Sequence, residues 1–432
     1  MDAETAPIKK PPQSGNPILR ALNLLGPGLI TGASDDDPSG IGTYSVAGAS
    51  LGLATLWTAV LTLPLMVVVQ YICGKIGMVS GRGLAGVLKK YYSRKLLYPA
   101  LIGLFIANTI NAGTDIAAIA AAINLLVPIP ILTLVFPIAL AILAIQIWGS
   151  YRLICRTFKW LTLSLFAYIG AAFLAKPHWG EVFIATFVPS FHFDNRYLTT
   201  LVAILGTTIS PYLFFWQASE EVEEEIRLGR LRVRQRRGAT DQELKQAKWD
   251  TIVGMIFCNL VFYFVILAAA STLHVSGKTN IESATDAAQA LRPVAGNAAT
   301  ILFALGLIGA GFLAVPVLTS SAAYAVAETL GLRYGLNEKL ARAKQFYAVI
   351  VLSTIVGVLI NFIGVNAITA LFWTAVINGL IAPPLLVLIM LVSNNRRVMG
   401  ARVNSKLTNV IGWTTVVIMF TAAIGMIVTW RQ

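Results

Sequence analysis

Three consecutive aspartates, Asp35, Asp36 and Asp37, lie inside an apolar stretch of the chain and are followed directly by Pro38. A carboxylate at the centre of a bilayer is energetically costly, so an acid within a membrane-spanning segment is a functional candidate. Adjacent ionised carboxylates repel one another, and a divalent cation relieves that repulsion. We therefore predict a cation site with Asp37, at the proline itself, as its main ligand. Asp35 and Asp36 are expected to line the access path.

Two further polar residues interrupt apolar stretches elsewhere in the chain. Asp115 lies in NAGTDIAAIAAAINLL, and Asn378 lies in AVINGLIAPPLL. Asp115 has two possible roles, either accepting hydrogen bonds from a neighbouring helix or taking part in ion or proton movement. Asn378 also has two possible roles, because a buried amide either lines a cavity or forms hydrogen bonds between helices.

A second apolar stretch has the same kind of interruption as the first. Residues 24–50 contain Pro38, and residues 197–218 contain Gly206 and Pro211 around a polar segment. Proline removes a backbone donor and breaks a helix, and broken backbone at membrane depth is tolerated where it lines a cavity. Discontinuous helices in matching positions of two halves indicate a transporter site at the membrane midplane. The polar residues at the second interruption are Thr207, Thr208 and Ser210.

Composition requires that these segments belong to an integral membrane protein. The 432 residues are 56% hydrophobic and only 12% charged, whereas soluble proteins carry about 25% charged residues. The apolar runs predict an all-α polytopic membrane protein of eleven spans, and they exclude a soluble enzyme with one anchor. The predicted spans are 24–50, 53–74, 98–124, 129–149, 157–175, 197–218, 250–273, 296–327, 346–364, 366–392 and 408–430.

The order of these spans predicts one transmembrane domain, residues 20–430, after a polar tail at 1–19. The matching interruptions suggest two inverted repeats of five spans, at about 20–175 and 197–392. The last helix, 408–430, is additional to both repeats.

The basic excess, a formal net charge of +13, acts as an orientation signal. With the N-terminus cytoplasmic and the C-terminus outside, all but five of the 33 lysines and arginines fall on the inner side. This follows the positive-inside rule, so no nucleic-acid partner is expected. The long inner segment 219–248 has an acidic head and a basic body, which suits a solvated or headgroup-facing connector. A regulatory or partner-binding role for it stays open.

These segments resemble the natural resistance-associated macrophage protein (Nramp) family of divalent metal transporters. The motifs that carry the resemblance are GPGLITG, DPSG, the TD of the third span, GTTISP and LFALGLIGAGF, and it extends over about residues 20–430. The resemblance implies a LeuT-type fold of eleven helices, with metal bound between the first and sixth helices. It also leads us to expect a location in the inner membrane of a bacterium.

Two departures from the family pattern concern the metal ligands. Asp37 matches the family's aspartate, but the position of its metal-binding asparagine is Gly40. The family's Met-Pro-His-Asn is Ser210-Pro211-Tyr212-Leu213 here, and the carbonyl used one turn earlier corresponds to Thr207. The resemblance thus implies a metal site at Asp37, Gly40, Thr207 and Ser210. The residues expected around it or along the access path are Asp35, Asp36, Ser39, Thr208, Tyr212, Asp115 and Asn378.

The departures favour a hard ion. A thioether is a soft ligand that suits transition metals, whereas Mg²⁺ prefers oxygen and sheds its waters reluctantly. Replacing methionine and asparagine with Ser210 and Gly40 removes two ligands, and we expect it to open space for a partly hydrated ion. The site therefore resembles that of the Nramp-related magnesium transporters. We expect Mg²⁺ as the substrate, with Mn²⁺ tolerated, no cofactor, and the lipid bilayer as the other partner.

Proton coupling is not expected. None of the predicted spans contains histidine, the side chain that titrates nearest physiological pH. Proton-coupled members of the family carry an acidic residue three positions after the aspartate of the third span, whereas this chain has Ala118 at that position. Facilitated transport is the prediction, with a proton-coupled Mn²⁺/Fe²⁺ importer as the alternative. A sodium-coupled symporter of an organic solute is the rival on the same fold. A membrane enzyme would need a zinc or Ser/His constellation that the spans lack.

Overall fold

The computed structural model describes residues 27–149, 163–281 and 283–430, which are almost entirely helical. Short 3₁₀ and π turns lie between several of the helices. In chain order the α-helices of these residues are α1 Pro27–Asp35, α2 Pro38–Leu51, α3 Trp57–Ser80, α4 Leu84–Tyr91, α5 Arg94–Leu126, α6 Ile131–Trp148, α7 Ala167–Leu174, α8 Trp179–Phe187, α9 Asn195–Thr208, α10 Pro211–Arg227, α11 Val233–Arg236, α12 Asp241–Ala269, α13 Ala284–Ala288, α14 Arg292–Ala295, α15 Ala299–Leu330, α16 Lys344–Ile360, α17 Ala367–Asn394, α18 Arg396–Met399 and α19 Lys406–Thr429.

Within these ranges, nine helical segments are long and apolar enough to cross a membrane, and the joined pair Asn195–Arg227 is one of them. A shorter apolar helix covers Ser164–Leu174. The all-α polytopic architecture is thereby confirmed, while the count of eleven spans stays a prediction. The start of the first span, part of the fifth, and the tail at 1–19 lie outside the described residues.

Both predicted helix breaks are present. The first separates α1, which ends at Asp35, from α2, which begins at Pro38; the second separates α9, which ends at Thr208, from α10, which begins at Pro211. Each proline is the first residue of its helix, where it needs no backbone donor and its φ suits the helix. The prolines therefore begin new helices, and the polar residues before them lie on non-helical backbone.

Close glycine contacts hold the half-helix before each break. A Cβ added to Gly32 of α1 would lie 2.3 Å from the carbonyl oxygen of Gly254 in α12. One added to Gly206 of α9 would lie 2.1 Å from the carbonyl oxygen of Ala375 in α17. Small residues let membrane helices approach this closely. The apolar core lies between the packed helices, with Trp216 among its largest fully buried side chains.

The acidic part of segment 219–248 differs from the prediction of a solvated connector. Helix α10 continues to Arg227, so these acids lie on a helix that packs against the bundle. Glu223 accepts hydrogen bonds from Tyr324 Oη and Asn337 Nδ2, both at 3.2 Å. The helix of the predicted sixth span extends through these acids and buries several of them against neighbouring helices. Charge composition alone does not indicate this burial. The buried acids are Glu221, Glu223 and Glu225.

Candidate metal centre

Asp37 lies between α1 and α2 as the N-cap of α2, and its side chain is 1% exposed. Its Oδ1 accepts hydrogen bonds from Gly40 N at 2.6 Å and Ser39 Oγ at 2.8 Å. Its Oδ2 accepts one from Asn111 Nδ2, on α5, at 3.1 Å. The free amides and the dipole of a helix N-terminus stabilise a carboxylate at this position. Asp37 is thus a buried carboxylate oriented from two helices.

The two breaks meet at Gly40. A Cβ added to Gly40 would lie 3.1 Å from Thr207 Oγ1, 3.3 Å from Asp37 Oδ1 and 3.3 Å from Tyr44 Cε2. Three of the four residues implied as metal ligands are therefore neighbours. The Thr207 hydroxyl has no hydrogen-bond partner in the described part of the chain. These neighbours lie close around Gly40 in this conformation, and room for a partly hydrated ion there stays a prediction.

A hydrogen bond joins the Ser210 side chain to the Thr207 backbone. Ser210 Oγ donates to the carbonyl oxygens of Thr207 at 2.6 Å and Gly206 at 3.1 Å. The Thr207 carbonyl, which the family resemblance implies as a ligand, thus already accepts a hydrogen bond. A metal ion that used this carbonyl would need the Ser210 hydroxyl to turn away. Thr208 contributes less, because its hydroxyl donates back to the Ile204 carbonyl within α9, at 2.8 Å.

Asp35 and Asp36 are buried beside Asp37, but they do not complete a three-acid site. Cys258 of α12 donates its thiol to Asp35 Oδ2 at 3.0 Å. Asp35 Oδ1 and both oxygens of Asp36 lack a hydrogen-bond partner of good geometry within the described residues. Over those same ranges, no three His, Cys, Asp or Glu side chains are grouped so that they could hold a metal ion. The arrangement therefore offers one well-oriented carboxylate together with neutral oxygens.

Tyr212 connects the two breaks. Its hydroxyl donates to the carbonyl oxygen of Ser34, in α1, at 3.0 Å. Its own carbonyl accepts a hydrogen bond from Ser321 Oγ of α15, at 2.7 Å. The phenol thus ties the start of α10 to the end of α1 and has a bridging role.

Asp115 and Asn378 are both buried. The Asp115 carboxyl lies close to the Ser39 backbone and to Asp37, although neither of its oxygens meets hydrogen-bond geometry with another described residue. Asn378 Nδ2 likewise lacks a partner there. Asp115 thus belongs to the surroundings of Asp37, whereas the contacts of Asn378 assign it neither of its two possible roles.

One residue of the site, Asn111, was missed in the sequence. Its amide nitrogen donates to Asp37 Oδ2, and its Oδ1 has no hydrogen-bond partner among the described residues. It lies four residues before Asp115 on α5, and residues at this spacing share one helix face. That spacing was the available signal. Asn111 adds an uncommitted amide oxygen beside the carboxylate.

Known proteins similar to this chain match it over most of its length. A family model described as natural resistance-associated macrophage protein-like matches residues 28–429. A protein of Brucella suis biovar 1 named divalent metal cation transporter MntH is 25% identical over 423 residues, covering 95% of this chain and 88% of its own length. A protein of the same name from Deinococcus radiodurans is 27% identical over 418 residues, covering 93% of this chain and 88% of its own length.

Solved structures share the fold. An Eremococcus coleocola manganese transporter, crystallised with an aromatic bis-isothiourea compound, superposes with a TM-score of 0.74 at 20% identity, covering 96% of this chain and 88% of that one. The inward-facing conformation of Mhp1 superposes with a TM-score of 0.52 at 12% identity, covering 94% of this chain and 91% of the Mhp1 chain. At these identities the likeness concerns the fold alone.

Proposed function

The chain belongs to the natural resistance-associated macrophage protein-like (Nramp) family, with the LeuT-type fold of an integral membrane transporter, and on this premise we propose that it transports divalent cations, preferentially Mg²⁺. One observation carries the proposal: the buried Asp37 carboxylate of the first break and Thr207, next to the second break, both lie beside Gly40. A cation held there would contact both broken helices. The names of the relatives support transport of a divalent metal in general.

The preference for Mg²⁺ follows from the donor atoms around Asp37. Those supplied by Thr207, Ser210 and Asn111 are hydroxyl, carbonyl and amide oxygens. Mg²⁺ takes oxygen ligands and keeps several waters, so one carboxylate with a few neutral oxygens suits it. Soft sulfur or imidazole ligands, which favour transition metals, are not part of this donor set. Mn²⁺ also accepts oxygen ligands, which is the basis for the proposed Mn²⁺ tolerance.

Transport requires the site to open, because Asp37 is buried. Helix α1 is tied to its neighbours by the Gly28 amide, which donates to Asp250 Oδ2 at 2.7 Å, and by the bond from Tyr212 to the Ser34 carbonyl. Both bonds lie on one side of the break. We propose that they separate when α1 moves away, exposing Asp37 to that face, while α2 and α9 part to expose it to the other. This is alternating access around a fixed midplane site.

We propose that the ion moves without protons. Position 118, near Asp115, is a buried alanine. His274 ends an apolar helix, Asp241–His274, although no histidine was predicted within a span. Its ring bonds to the carbonyl of Ala49, twelve residues along α2 from Asp37, or about 18 Å at 1.5 Å per residue. A proton relay from this histidine to Asp37 therefore has no short path.

The test is ion competition in proteoliposomes that contain the full chain and an internal Mg²⁺ indicator. We expect Mg²⁺ uptake, competition by Mn²⁺, and weaker competition by Ca²⁺, which prefers more ligands at longer distances. An internal pH indicator should stay constant during uptake. Strong Mn²⁺ or Fe²⁺ uptake with Mg²⁺ neither carried nor competing would reject the ion preference. Internal acidification would support the second candidate, a proton-coupled Mn²⁺/Fe²⁺ importer, for which the supporting observation is that one similar structure is named a manganese transporter.

A further inference from the structure

A groove of about 560 Å³ opens at one end of the helix bundle, far along the chain from the helix breaks. It lies between the end of α17, the first two turns of α19 and the link from α4 to α5. Its walls combine two aromatic rings, three side-chain amides and apolar surface. The aromatic and amide residues are Tyr92, Trp413, Asn394, Asn395 and Asn409.

The groove faces the lipid at the level of the headgroups. Along α19, Val410 and Val417 are more than half exposed, so this helix presents apolar surface to the bilayer. Helix α17 ends and α19 begins beside the groove, which places its polar part at the membrane boundary. Tyrosine and tryptophan are enriched at that depth because their rings are amphipathic.

A buried positive charge lies behind the amide wall. Lys75 of α3 is 5% exposed, and its Nζ donates to Asn404 Oδ1 at 2.7 Å. It takes part in none of the ion pairs of the described residues. Asn404 in turn donates to Asn409 Oδ1 at 3.2 Å, and Asn409 lines the groove. An anion in the groove would therefore supply the negative charge that Lys75 lacks.

Other features of the groove also favour an anion. The 24-residue helix α19 begins beside it, and the N-terminus of a helix carries partial positive charge. Trp413 is 39% exposed, and its Nε1 donates to none of the described residues, so it can donate to a ligand. Exposed Arg396, Arg397 and Lys406 lie next to the lining residues in the chain. Basic pockets between membrane helices bind anionic lipid headgroups in this way.

The geometry points to this groove as a binding site for an anionic phospholipid such as phosphatidylglycerol. The phosphate accepts hydrogen bonds from the side-chain amides of Asn395 and Asn409 and from Trp413, since the Asn394 amide already donates to Met390 O and Asn409 Oδ1. The acyl chains lie along the exposed Leu391. Lys75 and the start of α19 provide the preference for net negative charge. A lipid bound here would join α17 and α19 to the link before α5.

The test places the full chain in nanodiscs that contain phosphatidylglycerol and phosphatidylcholine at equal mole fractions. Native mass spectrometry after release counts the lipids retained on the protein. We expect about fivefold more phosphatidylglycerol than phosphatidylcholine, the size of effect that one basic residue has near anionic lipid. Lys75→Gln, which keeps a donor for Asn404, and Trp413→Ala should each bring the ratio close to one.

Trp148→Ala is the matched control. Trp148 ends α6 at the same membrane face, because α5 leaves that face and α6 returns to it, and the side chain is 77% exposed and outside the groove. The control should keep the wild-type ratio. A wild-type ratio near one would overturn the proposal without any variant. Equal losses in Trp148→Ala and Trp413→Ala would overturn it too, as would displacement of the lipid by millimolar inorganic phosphate.

Discussion

The residues at the N-terminal ends of the two helices that follow the breaks make hydrogen bonds in opposite directions along the chain. At the first, Asp37 bonds forward into its own helix, to Ser39 and Gly40. At the second, Ser210 makes no cap and bonds backward to the carbonyls of Gly206 and Thr207. The first break therefore presents a fixed charge. The second presents neutral oxygens, and two of its carbonyl oxygens already accept hydrogen bonds from the Ser210 hydroxyl. We infer that the first sets affinity for a cation and the second sets which cation is preferred.

The largest expected effect is at the charge of the first break. Asp37→Asn keeps an acceptor for the Gly40 amide but removes the charge, and Mg²⁺ uptake into proteoliposomes should fall more than about 100-fold. Loss of groups that merely orient a ligand already costs 10–100-fold. Asp35→Asn, the control in the same segment, should lose far less. Near-normal uptake by the Asp37 variant would contradict the assignment of the ligand.

A smaller effect is expected where the two breaks touch. Gly40→Asn adds an amide against Thr207 and Asp37, so we expect Mg²⁺ uptake to fall about tenfold and Mn²⁺ uptake to fall less. The measurement is the ratio of the two initial rates. Gly42→Ala is a suitable control, because a Cβ there meets only Leu371. An unchanged ratio in Gly40→Asn would show that this junction does not discriminate between ions.

Asn111 tests whether the first break depends on a helix outside it. Asn111→Leu removes the donor to Asp37 Oδ2 and the free amide oxygen, and the apparent affinity for Mg²⁺ should fall about tenfold. Asn108→Leu, on the same helix, removes a bond to the Leu318 carbonyl instead and should leave affinity nearly unchanged. Equal effects of the two variants would mean that Asn111 acts only through helix packing.

The smallest effect is expected at the second break. Ser210→Ala frees the Thr207 carbonyl but removes one hydroxyl oxygen, so the two changes partly cancel and affinity should change about threefold or less. Thr208→Val, whose hydroxyl is used inside α9, should behave like wild type. A tenfold loss in Ser210→Ala would show that its hydroxyl is itself a metal ligand.

Local chemistry accounts for what could be predicted. Pro38 and Pro211 disrupt helices wherever they occur, and a carboxylate such as Asp37 is costly at membrane depth regardless of its neighbours. Asn111 was missed because its role depends on α5 lying against the first break. The burial of Glu223 was missed because charge composition does not show which face of a helix packs inward.

By itself, the sequence determined the membrane-spanning helical architecture, the two breaks and the acid at the first of them, because hydropathy, proline geometry and the cost of buried charge act within a segment. Only the tertiary structure decided that Gly40 meets Thr207, that Ser210 occupies the Thr207 carbonyl and that Asn111 orients Asp37. These contacts join residues on different helices or across a break. The contacts of Gly40 and Asn111 depend on the distance and rotation at which helices pack, which no single segment encodes. The Ser210 bond depends on how the backbone turns at the break.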